Sequence, residues 1–142
     1  MSGTYDASCT FCRVVAGEID APLVYEDADT IGFLDHRPVF KGHVLVVPRA
    51  HVVTLPDLAS QLVGPYFEVV QHVARVLPDV VGAQGTWVAE NNVVSQSVPH
   101  LHVHVVPRTK GDGLRGFFWP RTRYAEGEAD AYAARLRAAL AR

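Results

Sequence analysis

His100-Leu101-His102-Val103-His104-Val105-Val106 is the segment that decides how this sequence is interpreted. Three histidines alternate in it with apolar residues, and successive side chains of a β-strand point to opposite faces of the sheet. The segment therefore predicts a strand with its three histidines on one face and its leucine and valines on the other. Neighbouring imidazoles would lie roughly 7 Å apart, which is two strand rises.

A row of imidazoles on one strand face supports three interpretations. Buried histidines are purely structural when each ring finds polar partners. Histidines at alternate strand positions are also familiar metal ligands. Near neutral pH an imidazole is in addition a nucleophile, a proton carrier and a partner for phosphate. The metal and catalytic interpretations are compatible if different histidines have different roles.

Composition places the chain among ordinary globular proteins. Its 142 residues suffice for one domain with a buried core, with 49% hydrophobic and 20% charged residues and a net charge of −2. This balance does not favour nucleic acid or an anionic membrane as a partner. No apolar run reaches transmembrane length and no secretory signal is visible, so we expect a cytoplasmic protein.

The hydrophobic pattern predicts short strands interrupted by helices without regular alternation, which favours an α+β fold with a mainly antiparallel sheet. Besides the histidine strand, we expect strands over residues 23–26, 30–35, 42–48 and 86–89, and a short helix over residues 11–16. A second helix follows Pro56, and Pro78 is expected to limit it. Its core-facing stripe is formed by Tyr66, Val69, Val70, Val73, Val76 and Leu77, and a C-terminal helix carries Tyr132, Leu136 and Leu140 on one face.

The only two cysteines lie close together in Cys9-Thr10-Phe11-Cys12. They are a redox pair, two unrelated buried thiols, or half of a zinc site that awaits two histidines. The redox interpretation lacks the preceding strand that a thioredoxin-like context would supply.

Several segments, taken together, resemble the histidine-triad (HIT) superfamily. The segment from Ser97 to Val106 is similar to its signature, in which three histidines alternate with apolar residues. The motif Cys9-x-x-Cys12 followed by residues 17–19, and the segments 33–35 and 42–51, are similar to further family motifs in the same order. The resemblance covers about residues 9–107 of a single domain spanning 1–142, with residues 108–142 as an extension. It implies a half-barrel-like antiparallel sheet of about five strands with helices packed on it, usually assembled as a homodimer.

The resemblance implies attack on the α-phosphate of a purine nucleotide conjugate, such as an adenosine phosphoramidate or a diadenosine polyphosphate. The middle histidine, His102, would be the nucleophile and would form a covalent nucleotidyl-histidine that water or another acceptor resolves. Asp35 would hold the ribose hydroxyls. The phosphate would be contacted by Ser97, His104, Asn91 (with Asn92 as the rival) and the backbone near Ser95 and Gln96, and the base would lie against Phe11, Val14, Phe33 and Leu34.

The loop before the histidines departs from the family pattern. Ser95 stands where glycine is usual, and the loop is about two residues shorter. A side chain at that position is strained if the backbone there needs a positive φ.

The resemblance also implies a structural zinc ion held by Cys9, Cys12, His51 and His100, with His43 as the alternative fourth ligand. Four protein ligands close the tetrahedron, so such an ion is structural. Two other functions remain open. One is a zinc metallohydrolase with His100, His102 and His104 around an open metal site, and the other is a nucleotide-binding module without catalysis.

Overall fold

The computed structural model describes residues 4–115 and 121–141. The chain forms two compact units, Met1–Asp112 and Gly113–Arg142. In chain order, the first unit contains helix α1 (Thr10–Val15), strands β1 (Leu23–Glu26), β2 (Thr30–Leu34) and β3 (Val44–Pro48), a 3-10 turn (Leu55–Asp57), helix α2 (Ser60–Val81), and strands β4 (Gly85–Glu90) and β5 (Val103–Arg108).

The five strands form one sheet in the order β1-β2-β3-β5-β4, and every neighbouring pair is antiparallel. The predicted α+β class and five-stranded antiparallel sheet are therefore confirmed. The β1–β2 hairpin closes at Asp27, whose Oδ1 accepts hydrogen bonds from the backbone N–H groups of Asp29 and Thr30, each at 2.9 Å. An aspartate carboxylate that bonds its own downstream backbone is typical of a tight turn.

β3 lies in the middle of the sheet and is buried on both faces, as its continuous apolarity predicts. Val44 and Val46 point toward α2, where Tyr66 donates its hydroxyl proton to the carbonyl of Val46 at 2.7 Å. Leu45 and Val47 point to the opposite face and pack with α1. The sheet therefore separates a core under α2 from a second apolar cluster under α1, and the second cluster adjoins the candidate site.

Helix α2 corrects two predictions. Val76 is 43% exposed, whereas Tyr66, Val69 and Leu77 of the same stripe are buried. Pro78 does not end the helix, which continues to Val81 and stops at Gly82 with a left-handed φ of 73°. A proline removes only the hydrogen bond to the residue four positions earlier, and its own φ is helical, so packing against the sheet is sufficient to carry the helix onward.

Strand β5 begins later than the alternating pattern predicts. Only His104 of the three histidines lies within it, because β5 starts at Val103. The N–H of His100 bonds the carbonyl of Val98 in a tight turn, and the N–H of Leu101 bonds the carbonyl of Val52 outside the sheet, each at 2.8 Å. The two-faced alternation is nevertheless confirmed, since Leu101, Val103 and Val105 all enter the core under α2.

The second unit contains helix α3 (Glu128–Leu140). Glu128 and Asp130 lie in its first turn, where negative charge is favourable to the helix dipole, as predicted. Glu126 precedes the helix. The apolar face of Tyr132, Leu136 and Leu140 is exposed. The aromatic segment 116–120 and Arg142 lie outside the described residues. Within the parts of the chain that the structure describes, no helix has the length and apolarity needed to cross a membrane.

Candidate active site and metal-ligand group

The imidazole of His102 is held by the backbone. Its Nδ1 lies 2.8 Å from the carbonyl oxygen of His100, so Nδ1 carries the proton and donates it. The ring is 4% exposed and meets Phe11 edge to face at 5.1 Å between ring centroids. Burial lowers the pKa of His102 below its ordinary value, which keeps the ring neutral. A neutral imidazole with a proton on Nδ1 leaves an unshared electron pair on Nε2.

A cavity of about 430 Å³ adjoins His102 on the α1 face of the sheet. Its lining combines apolar side chains with two carboxylates, two hydroxyls and three imidazoles. Of the residues that the sequence assigns to the site, eight line this cavity: Phe11, Val14, Phe33, Leu34, Asp35, Ser97, His102 and His104. The structure therefore brings most of the predicted site together.

Three predicted site residues lie instead in the adjoining loop. The side-chain amide of Asn91 donates to the carbonyl of Ser95 at 3.2 Å, and the side chain of Gln96 bonds the backbone of Val93 and Val53. These hydrogen bonds hold the loop together, and Asn91, Ser95 and Gln96 do not line the cavity. Asn92, the alternative to Asn91 as a phosphate contact, also bonds the backbone, because its Oδ1 accepts the N–H of Leu55 at 2.9 Å.

Ser95, for which the resemblance implies a glycine position, has a φ of 62°, which is a left-handed backbone conformation. Val93, two residues earlier, has a φ of 71°, which is a strained conformation for a β-branched side chain. The shortened loop thus places two non-glycine residues in the left-handed region beside the histidine segment. The sequence predicts strain at Ser95 only if the backbone there has a positive φ, a condition that the structure meets, and it does not indicate the positive φ of Val93.

Asp35 follows β2 and turns its carboxylate toward the cavity. One oxygen accepts the N–H of Arg37 at 2.9 Å, and the other lies 3.8 Å from Nε2 of His43. The side chain is 18% exposed, which leaves the carboxylate accessible from the cavity. Carboxylate oxygens that accept from two adjacent hydroxyls suit a ribose.

His43 is a site residue that the sequence considers only as the alternative fourth zinc ligand or as a buried histidine near the site, and the structure groups it with Asp35 and His104 rather than with the cysteines. It is 2% exposed, and its Nε2 lies 2.9 Å from Nδ1 of His104. Its Nδ1 accepts the backbone N–H of Val39 at 3.1 Å. The rings of His104 and His102 lie 5.0 Å apart, so His43 is connected to the nucleophile through one intermediate ring. The only sequence signal was a histidine directly before a buried apolar strand.

Cys9, Cys12, His51 and His100 form a group that could hold a metal ion. Nδ1 of His100 lies 3.4 Å from Sγ of Cys9, 3.6 Å from Sγ of Cys12 and 3.3 Å from Nδ1 of His51. The Cys12 sulfur and the His51 nitrogen are 3.2 Å apart. Around a tetrahedral zinc ion, nitrogen pairs lie about 3.3 Å apart and nitrogen–sulfur pairs about 3.5 Å apart. The four donor atoms therefore fit a closed tetrahedron.

The surroundings of this group orient its histidines toward a cation. Nε2 of His100 donates to the carbonyl of Pro48 at 2.8 Å, which leaves Nδ1 as the free donor atom. Nε2 of His51 lies 3.9 Å from a carboxylate oxygen of Asp6. Burial raises the pKa of Cys12 to about 11, so a cation must displace the thiol proton before the sulfur becomes a ligand.

This arrangement disfavours an open metal site around the three histidines of the signature. The ligand atom of His100 faces the cysteines, and Nδ1 of His102 is bonded to a carbonyl. Nδ1 of His104 is bonded to His43. The three rings therefore contact three different partners, namely the cysteines, a backbone carbonyl and His43, instead of converging on one metal ion.

A second cavity of about 430 Å³ lies on the opposite face of the sheet, between α2 and the β1–β2 hairpin. Its lining is apolar apart from Tyr25 and His72 among the described residues. The cavity beside His102 is the better candidate site, because it combines an apolar slot with groups that bind phosphate and sugar.

The antiparallel sheet and the alternating histidines define a histidine-triad architecture. Residues 16–111 match the family model described as the HIT domain, and the chain belongs to this family. Protein hit of Bacillus subtilis (strain 168) is 39% identical over 115 residues, which cover 79% of this chain and 79% of that protein.

Two further relatives have informative names. An adenosine 5′-monophosphoramidase of Schizosaccharomyces pombe is 31% identical over 115 residues, covering 80% of this chain and 84% of that protein. The structure of a Zn-bound histidine triad family protein from Mycobacterium smegmatis has a TM-score of 0.72 and 37% identity, covering 93% of this chain and 97% of that chain. The family therefore includes hydrolases of adenosine nucleotides and a member with bound zinc.

Proposed function

We propose that this protein cleaves purine nucleotide conjugates at the α-phosphate through a covalent nucleotidyl-histidine on His102. Substrates of this type are adenosine 5′-phosphoramidate and diadenosine polyphosphates. The observation that carries the proposal is the bond from Nδ1 of His102 to the carbonyl of His100, in a residue that also lines the cavity. It leaves Nε2 as the nucleophilic atom.

The reaction has two displacements. In the first, Nε2 of His102 forms a bond to the α-phosphorus while the bond from phosphorus to the leaving amine or phosphate breaks, and the leaving group takes up a proton. In the second, water attacks the phosphorus and the phosphorus–nitrogen bond to His102 breaks, which releases the nucleoside monophosphate. An acceptor other than water would make the same enzyme a nucleotidyl transferase.

The residues that line the cavity have distinct roles in this proposal. Asp35 binds the ribose hydroxyls, and Phe11, Val14, Phe33 and Leu34 hold the base. Ser97 and His104 donate to the phosphate oxygens, which become more negative in the transition state. Asn91 and the backbone near Ser95 and Gln96 complete the phosphate contacts.

We also propose that Cys9, Cys12, His51 and His100 hold a structural zinc ion. The fit of their donor atoms to a tetrahedron supports this assignment, and so does the Zn-bound relative. The ion would supply a rigid connection between the N-terminal segment and the histidine segment. The homodimer is an expectation of the same resemblance, and the mass of the protein in solution tests it. The cytoplasmic location stays an expectation from the sequence.

The test is release of AMP from adenosine 5′-phosphoramidate and from diadenosine polyphosphates. The wild type should release AMP, and His102→Ala should reduce the rate at least about a hundredfold. His72→Ala, which replaces an exposed histidine on α2, is the matched control and should retain the wild-type rate. Tight AMP binding without turnover of any conjugate would indicate a binding module instead.

A further inference from the structure

The cavity beside His102 contains a second carboxylate, to which the proposed reaction gives no role. Asp20 lines this cavity as part of the segment 19–22, all of which belongs to the lining. The first residue of the segment donates its N–H to the carbonyl of Arg13 in α1 at 3.3 Å, and the carbonyl of the last accepts the N–H of Leu34 in β2 at 3.0 Å. The segment is therefore held at both ends, and the fold fixes the place of Asp20 in the cavity wall.

The two carboxylates of the cavity have different surroundings. The charge of Asp35 acts on His102 and His104, where it opposes the lowering of each pKa by burial. The residues on either side of Asp20 pack instead against the apolar cluster under α1, which forms most of the proposed base slot. Asp35 therefore belongs to the end of the cavity proposed for ribose and phosphate, and Asp20 belongs to the end proposed for the base.

The side chain of Asp20 is exposed, and its carboxylate forms no hydrogen bond or ion pair with any residue in the described ranges 4–115 and 121–141. Neighbouring acids differ in this respect. Glu18 accepts the hydroxyl of Tyr5 at 2.7 Å and lies 3.5 Å from Arg13. An ionised carboxylate is an acceptor only, with two oxygens. Both oxygens of Asp20 are therefore available to donors of a ligand in the cavity.

The two common purines differ in what they offer a carboxylate. The edge of guanine farthest from the sugar has two adjacent donors, N1–H and the 2-amino group, which match the two oxygens of a carboxylate. The same edge of adenine has one donor, the 6-amino group, beside the lone pair of N1, which a carboxylate repels. A carboxylate at the base end of a purine slot therefore favours guanine.

We propose that Asp20 is a specificity-determining residue that makes the base slot prefer guanine to adenine. With the α-phosphate beside His102 and the ribose on Asp35, the outer edge of the base reaches Asp20, whose two oxygens accept from N1–H and the 2-amino group. The inference rests on the proposed function and narrows its purine conjugates to guanosine conjugates as the preferred class. Adenosine conjugates enter the same slot but bind more weakly, because the apolar contacts do not distinguish the two purines.

Calorimetric titration of the wild type with nucleoside monophosphates tests the preference without a variant. The Kd of GMP should be about tenfold lower than that of AMP, which is toward the low end for a two-point contact because Asp20 is exposed. IMP retains N1–H but lacks the 2-amino group, so its Kd should lie between the two. A Kd for AMP equal to or below that for GMP would overturn the proposal.

Asp20→Asn assigns the preference to this residue, because the change keeps the size of the side chain. The amide has one acceptor and one donor, which match the 6-amino group and N1 of adenine. GMP should bind about tenfold more weakly than to the wild type, and AMP at least as tightly. Asp79→Asn removes the same charge from an exposed position on α2 outside the cavity and should retain the wild-type preference. An unchanged preference for GMP in Asp20→Asn would contradict the proposal.

Turnover separates this inference from the proposed function. Guanosine 5′-phosphoramidate should have a lower KM than adenosine 5′-phosphoramidate and a similar kcat, because Asp20 contacts the base and not the phosphorus. Equal KM values for the two conjugates would contradict the base preference alone. A protein that binds GMP more tightly than AMP but turns over neither conjugate would contradict the proposed reaction and support the base preference.

Discussion

His100 and His102 are coupled through one hydrogen bond, because the carbonyl oxygen of His100 lies 2.8 Å from Nδ1 of His102. The ring of the same His100 lies in the metal-ligand group, with Nδ1 3.4 Å from Sγ of Cys9. The residue that orients the nucleophile is therefore also a member of the group that could hold a cation. The metal-ligand group and the nucleophile are therefore connected through one residue, His100.

Removal of the proposed zinc ion should destabilise the protein. Cys12→Ser deletes one of four ligands, so we expect metal content to fall from about one ion per chain to near zero. The free energy of unfolding should fall by about 3–4 kcal/mol, the stabilisation expected from a ligand present at several hundred times its Kd. Metal analysis and urea denaturation measure the two effects. A chelator should lower the wild type similarly but leave Cys12→Ser unchanged, and equal stability of the two proteins would refute the structural role.

Acid should weaken the fold through His104. Its pKa is lowered to about 4 in the folded protein, mainly by burial and secondarily by the neighbouring His102 and His43, while Asp35 opposes the shift. The ordinary value of about 6.5 applies to the unfolded chain. As the pH falls from about 6.5 to 4, the unfolded state takes up a proton that the folded state does not bind, so stability decreases in this window.

His104→Asn isolates this contribution from that of the other titrating groups. Urea denaturation at pH 7 and pH 5 should give a larger loss of stability on acidification for the wild type than for the variant. The same pH dependence in both proteins would show that His104 titrates normally in the folded state.

Glycine should stabilise the protein at position 93 of the loop and destabilise it at position 94. Val93 is 75% exposed and has a φ of 71°, so its side chain contributes little packing and its backbone is strained. Val93→Gly should raise stability by about 0.5–1 kcal/mol, the relief of left-handed strain less the added entropy of the unfolded chain. Val94→Gly, at a residue 78% exposed without a positive φ, should lower stability, and thermal unfolding compares them. A loss in both variants would mean that the φ of Val93 is not strained.

Much of the fold could be predicted because its signals are local. Continuous apolarity in β3 predicted burial on both faces, and the Asp27 turn predicted the hairpin. Pro78 misled because a proline breaks one hydrogen bond but does not by itself end a helix that is packed on a sheet. The late start of β5 could not be predicted, since it depends on the bond from Leu101 to the carbonyl of Val52 in another segment.

The candidate site also has a part that the sequence predicts and a part that depends on three-dimensional neighbours. Cys9, Cys12, His51 and His100 were assigned together from a resemblance, and the structure brings their donor atoms within bonding reach of one cation. The role of His43 was not predictable, because it depends on which nitrogen faces the Val39 amide. A sequence specifies that a histidine is present but does not specify its tautomer, which is set by three-dimensional neighbours.

The central claim is that Nε2 of His102 attacks the phosphorus, and trapping the covalent intermediate tests it most directly. The wild type, mixed with adenosine 5′-phosphoramidate and quenched rapidly under alkaline denaturing conditions, is digested and analysed by tandem mass spectrometry. We predict one added adenylyl group on His102, absent from His102→Ala and present in His72→Ala. An adenylyl group on a different residue, or AMP release by His102→Ala at the wild-type rate, would contradict the account.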